Sequence, residues 1–216
     1  MSVTSLFLPE IVEEVNSSIN GKIQVVRSGS RYKLIVGGLI QSGGVLREIW
    51  EKALKQVASH SFKVSRVLML GLGGATAASV IVKLWPQAEI VGVEIDPVMI
   101  RLGKKYFDLG KLDQLTIVQA NAFLWVKNHP DKFDLILVDM YLGELIPEQS
   151  EQLEFLQDLQ SISTTPGKVI FNRLFYNQHQ ETARKFVEKV SKIFSGPALV
   201  RCWSNLLVVG HVDSTV

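Results

Sequence analysis

Glu94 and Asp139 each stand at the end of an apolar run, and a third run ends in the glycine turn Gly71-Leu72-Gly73-Gly74. Those three features are where chemistry is expected. Gly71, Gly73 and Gly74 carry no Cβ, so their backbone N–H groups can approach a ligand closely. Glu94, about 20 residues after the turn, can accept two hydrogen bonds from vicinal hydroxyls when ionised and would repel a 2′-phosphate. Asp139 could orient or deprotonate a nucleophile, or hold an ammonium group. Together they predict a nucleoside-bearing ligand whose ribose is held at position 94 and whose reacting end lies towards Asp139.

These residues share one rim only if their runs are parallel strands. Val67–Leu70 leads into the glycine turn, and an alanine-rich helix runs on to about Leu84, where Pro86 stops it. Ile90–Val93 is the second strand, and Asp96-Pro97 reads as an N-cap followed by proline at the first helical position. Leu115–Ala120 is the third strand. Asn121 follows it, placed to meet an adenine edge or to cap the short helix Ala122–Lys127; both readings stand. Phe133–Val138 is the fourth strand. A loop carries Tyr141, Glu144 and Glu148, and then come a helix over Glu148–Ile162, a fifth strand at Lys168–Phe171 and a helix over Gln178–Phe194. Alternating strands and helices predict an α/β fold, a Rossmann-like doubly wound sheet with ligand chemistry at its carboxyl edge. Asp134, at the opposite end of its strand, is expected to be structural.

The C-terminal runs Ala198–Trp203 and Leu206–His211 flank Ser204-Asn205, a hairpin signal. A parallel sheet that ends in such a hairpin resembles the S-adenosylmethionine-dependent methyltransferase architecture. Before Arg66, Lys22–Arg27 and Tyr32–Val36 flank Ser28-Gly29-Ser30 as a β-hairpin, and Leu46–Val57 reads as an amphipathic helix. Residues 1–45 are therefore taken as an N-terminal β appendage and 46–216 as the catalytic domain.

Composition narrows the function. The chain has 216 residues, 47% hydrophobic and 20% charged, enough for one full core. A net charge of +2 with Lys and Arg interspersed among acids gives no footprint for nucleic acid. Cys202 is the only cysteine, so no intrachain disulfide or cysteine-rich metal site can form, and its apolar strand predicts a buried inert thiol. His60, His129, His179 and His211 lack metal-ligand spacing, so no metal is expected. Glu10, Glu13 and Glu14 interrupt any signal peptide, and Val67–Val82 is too short to span a membrane, which predicts a cytoplasmic protein. Thr76 stands where the dinucleotide fingerprint wants Gly or Ala, which disfavours a nicotinamide oxidoreductase.

The same residues resemble the spermidine synthase (aminopropyltransferase) family within the class I S-adenosylmethionine-dependent methyltransferase superfamily. Gly38-Leu39-Ile40-Gln41 is similar to its Asp-Gly-x-x-Gln. Val67–Gly74 is similar to its first strand and turn, and Val93-Glu94-Ile95-Asp96 to its Val-Glu-Ile-Asp. Asn121-Ala122-Phe123 and Phe133–Asp139 are similar to its Asp-Ala/Gly-Phe and its fourth strand with catalytic aspartate. The resemblance implies that S-adenosylmethionine or its decarboxylated form is held by Gln41, the glycine turn, Glu94, Asn121 and Ala122. Asp139 would be the base, and Trp50, Tyr141 and Glu144 would face a small-molecule acceptor; a homodimer is also implied. Five positions depart from the family. Gly74 replaces an aspartate of the turn and Gly37 that of the hairpin motif. Leu142 replaces the second aspartate of Asp-x-x-Asp, and Trp50-Glu51 stands near the family's Tyr-His/Gln pair. The nucleoside half is kept and the polyamine half is reduced. The expected reaction is aminopropyl or methyl transfer, with a non-catalytic nucleoside-binding or interaction module as the alternative.

Overall fold

The computed structural model of the chain describes residues 8–58, 62–143 and 145–213. Glu144 and His60 lie outside the described residues.

Seven strands form the main sheet. In chain order they are β5 (Arg66–Leu70), β6 (Glu89–Glu94), β7 (Leu115–Gln119), β8 (Phe133–Val138), β9 (Ser163–Leu174), β10 (Ser195–Cys202) and β11 (Asn205–Val212). Their spatial order is β10-β11-β9-β8-β5-β6-β7. β5 to β9 are parallel to their neighbours, whereas β9–β11 and β10–β11 are antiparallel. The chain runs outward from β5 through β6 to β7, then returns to lay β8 on the other side of β5. That reversal opens a crevice at the carboxyl ends of β5 and β8, which is where open α/β sheets take ligands.

Central strands are apolar throughout because both faces are covered. Val67, Met69, Leu135 and Leu137 pack on one side with α1 (Val45–Val57) and α2 (Thr76–Leu84). Leu68, Leu70, Ile136 and Val138 pack on the other with α4 (Ala122–Asn128), α5 (Leu153–Ser161) and α6 (His179–Val190). In α1 the buried residues Ile49, Trp50, Ala53, Leu54 and Val57 recur at helical spacing and form one stripe. Asp134 is structural as expected: it accepts from the backbone N–H of Ser65 and Arg66 and from Thr164 Oγ1, tying the amino ends of three strands.

The N-terminal region holds more than one hairpin. β1 (Glu10–Ser17), β2 (Gly21–Ser28), β3 (Arg31–Val36) and β4 (Leu39–Ser42) form a four-stranded antiparallel sheet. β1 escapes a hydrophobicity reading because it is acidic, and its acids are matched by cations across the fold. Glu10 pairs with Arg27 at 2.7 Å, and Glu14 with Lys22 at 2.9 Å. Glu13 accepts from Lys105, Arg101 and Tyr106 of α3 (Pro97–Tyr106), which hold its carboxyl at about 2. Beneath these pairs Ile23, Val25, Leu34 and Val36 pack on Met99 and Leu102, so the small sheet rides on α3.

Two further expectations change. The helix expected over Glu148–Ile162 is a 3₁₀ turn at Glu148–Glu151 followed by α5 from Leu153. Cys202 is half-buried at the end of β10 rather than enclosed.

Candidate active site

The glycine turn is shaped first by its own chain. Gly71 has φ +87°, and a Cβ there would overlap the Asp139 carbonyl oxygen. Its N–H donates to Val93 O at 2.9 Å, while the Asp139 N–H donates to Leu70 O at 2.8 Å. The missing side chain thus lets the ends of β5, β6 and β8 meet. Gly73 has φ +51°, and a Cβ there would stand 2.7 Å from the Gln41 carbonyl oxygen. Thr76 Oγ1 lies 2.6 Å from Ser42 Oγ and accepts from the Gly43 N–H at 2.9 Å, which ties the start of α2 to the segment that carries Gln41.

On the β6 side of the crevice lies a cavity of about 230 Å³. Gly71, Gly73, Glu94, Asn121, Ala122 and Gln41 line it, with an apolar wall that includes Ile95, Met99 and Phe123. Glu94 is buried, and each of its oxygens accepts one backbone N–H: Leu72 at 3.1 Å and Asp96 at 3.0 Å. Burial raises its pKa and those two bonds oppose the rise. A carboxylate has about four acceptor sites, so acceptor capacity is left for ligand hydroxyls. Asn121 caps α4, its Oδ1 accepting from Phe123 N at 3.0 Å and Leu124 N at 3.3 Å, and it also borders the cavity.

Asp96 is fully buried and faces away from this space. Its Oδ1 caps α3 through Val98 N at 2.8 Å, and its Oδ2 accepts from Ser17 Oγ and from Asn20 Nδ2 at 2.7 Å. These bonds fix the β1–β2 turn against the core, where Ile19 and Asn20 become part of the cavity wall.

Asp139 is the shared wall between this cavity and a second one of about 220 Å³. Asn172 Nδ2 donates to Asp139 Oδ1 at 2.8 Å, and Trp50 donates to the same carboxyl. Asn172 is itself held, its Oδ1 accepting from Asn205 Nδ2 at 2.8 Å. Burial pushes the Asp139 pKa up to about 6, against the Asn172 and Trp50 bonds and with help from the charge of Glu94. Tyr141 donates to Asn172 O at 2.9 Å; burial, then the charge of Asp139, drives its pKa far up, so the phenol stays protonated. Gln41 and Tyr141 border both cavities, and Gln41 Nε2 donates to Gly143 O at 3.2 Å, drawing β4 to the loop after β8.

Not every expected residue reaches this space. Gly74 lines neither cavity: its Cα faces Ser42 and Phe107, where a Cβ would stand 2.6 Å from Ser42 Cβ and 2.9 Å from Phe107 Cγ. Trp50 also lines neither; it is buried in the core, and only its indole N–H reaches Asp139. Ile19, Asn20, Asn172 and Asn205 belong to the site without having been singled out in the sequence. For Asn172 a signal existed: an amide inside the apolar run of β9, one residue beyond Phe171, which pairs with Val138. Among the described residues no group of three or more His, Cys, Asp or Glu could hold a metal ion.

This strand order, closed by an antiparallel hairpin and with its crevice between β5 and β8, is the class I S-adenosylmethionine-dependent methyltransferase fold. Within that class the Spermine/spermidine synthase domain family matches residues 25–203, and the chain belongs to that family. A polyamine aminopropyltransferase of Vibrio vulnificus is 31% identical over 113 residues, which is 51% of this chain and 38% of that enzyme's length. A probable spermidine synthase from Corynebacterium glutamicum superposes with a TM-score of 0.78 at 18% identity, over 97% of this chain and 82% of that one. A spermidine synthase in complex with the transition state analogue AdoDATO superposes at 0.75 with 16% identity, over 94% and 74%. Among the described residues no helix is long and apolar enough to cross a membrane.

Proposed function

We propose that this chain is an alkyl transferase that binds decarboxylated S-adenosylmethionine in the Glu94 cavity and transfers its aminopropyl group to an amine in the second cavity. One observation carries the proposal: a carboxyl with a pKa of about 6 forms the wall common to both cavities. Family membership favours aminopropyl over methyl transfer. Glu94 is assigned to the ribose hydroxyls, Ile95, Met99 and Phe123 to the base, and Asn121 and Ala122 to its edge.

The chemistry needs little from the protein beyond alignment and one base. The amine lone pair forms the N–C bond to the carbon beside sulfur. The C–S pair stays on sulfur, which leaves neutral methylthioadenosine, and the proton lost from nitrogen passes to Asp139. An ordinary alkylammonium, near 10.4, outlasts a base of about 6 by a gap worth roughly 6 kcal/mol. Two effects narrow it. Desolvation beside apolar walls lowers the amine's pKa, and nitrogen acidifies as it acquires the new bond. Placing the amine in line with the C–S bond supplies much of the remaining catalysis.

The test is methylthioadenosine release from decarboxylated S-adenosylmethionine and a primary amine, with Asp139→Asn as control. Release that falls by about 10²–10⁴ in the variant fits a general base. Equal release by both proteins removes Asp139 from the mechanism.

A further inference from the structure

The second cavity states what kind of amine it can take. Its walls come from β4, α1, β9 and the β10–β11 turn: Leu39, Ile40, Val45, Leu46, Ile49 and Leu174 make the apolar side, and Asn172, Ser204 and Asn205 the polar one. Asp139 is the only carboxylate among the described lining residues. The two acids of α1, Glu48 and Glu51, are outside the lining, and Glu48 accepts from Trp203 Nε1 at 3.0 Å. The amides of Asn172 and Asn205 bond to Asp139, to Ser204 and to each other, and as neutral groups they supply no counter-charge. A diamine that presented one nitrogen to Asp139 would bring its second, still an ammonium, against leucine and isoleucine side chains. A distal ammonium finds no second carboxylate among the described lining residues, whereas a methyl group against the apolar walls is favoured.

We propose that the acceptor is a monoamine with an apolar body, not a diamine or longer polyamine, because Leu39, Leu46, Ile49 and Leu174 occupy the walls where counter-charges for a distal ammonium would be required. This rests on the transferase reading above and names its acceptor class. The reaction keeps the same balance: one N–C bond forms, one C–S bond breaks, and one proton goes to Asp139.

An isosteric pair decides it. Putrescine and n-pentylamine have the same number of heavy atoms and differ by NH₃⁺ against CH₃ at the far end. With decarboxylated S-adenosylmethionine as donor, n-pentylamine is expected to exceed putrescine by at least about tenfold in kcat/KM, the order expected for one unpaired charge against one apolar contact. Leu46→Glu should shift the ratio towards putrescine by placing a carboxylate on α1. Comparable or better use of putrescine by the wild-type protein overturns the proposal. Should Leu46→Glu fail to fold, the wild-type pair still decides. A methylthioadenosine thermal shift separates the two levels of the argument. No shift defeats the donor site itself, and a shift with turnover of neither amine defeats the transferase reading; a shift with putrescine used at least as well as n-pentylamine defeats the acceptor class alone.

Discussion

Asp139 carries a cost that the proposed general-base role explains. Its pKa stands at about 6 against an ordinary 3.8, so between those values the folded protein binds a proton that the unfolded chain has lost. Stability from this group is therefore full below about pH 4 and declines as pH rises through 6, by about 3 kcal/mol at neutral pH. Asp139→Asn should accordingly raise the melting temperature at pH 8 and leave it unchanged at pH 4, while it lowers turnover by about 10²–10⁴. Melting curves at the two pH values check this, and a variant less stable at both would contradict it. Asn172 is a positioning residue with the opposite influence. Its bond lowers the Asp139 pKa, so Asn172→Ala should move the acidic limb of the kcat/KM profile upward from about 6. A merely structural role would reduce activity without moving that limb.

At the scale of elements, the glycine turn separates what two identical residues do. Gly73→Ala meets both a φ of +51° and the Gln41 carbonyl, so it should cost about 1–3 kcal/mol and weaken donor binding together. Gly74→Asp would restore the aspartate that the family carries in its turn, yet it should not restore a polyamine site. The new side chain would start against Ser42 and Phe107 instead of the cavity, and the expected result is a lower melting temperature with no gain in putrescine use. The central strands were legible because burial on both faces writes them as unbroken apolar runs ending at Gly71, Glu94 and Asp139. β1 was not, because its stability lies in pairing with cations on β2 and α3, which sequence periodicity does not register. Glu94 and Asp139 could be read from their strand ends, and Asn172 left a fainter trace as an amide in an apolar run beside the end of β8. Asn205 could not be read, since its place depends on antiparallel pairing of β11 with β9, fixed only in three dimensions. Trp50 was legible as an amphipathic helix residue, but its one polar atom reaches Asp139 from the core side.

For the whole molecule, a division into an appendage of residues 1–45 and a core of 46–216 is proposed as structural only, because the Glu94 cavity is lined by both parts. Ile19 and Asn20 of the β1–β2 turn and Gln41 of β4 line the same cavity as Glu94. Asp96 joins the two. It caps α3 and at the same time receives Ser17 and Asn20, so one buried carboxylate fixes both a helix end and a cavity wall. Two substitutions pull these roles apart. Asp96→Ala loses the cap and orphans the buried Ser17 hydroxyl and the half-buried Asn20 amide, an expected loss of about 2–4 kcal/mol. Asp96→Ser restores a good cap but is too short to hold Asn20, so it should recover part of that stability. If the small sheet serves as a wall of the donor site, both variants should raise the KM for the donor by similar factors despite their different melting temperatures. If it serves only as packing for α3, KM should follow stability, and Asp96→Ser should lie between Asp96→Ala and the wild-type protein.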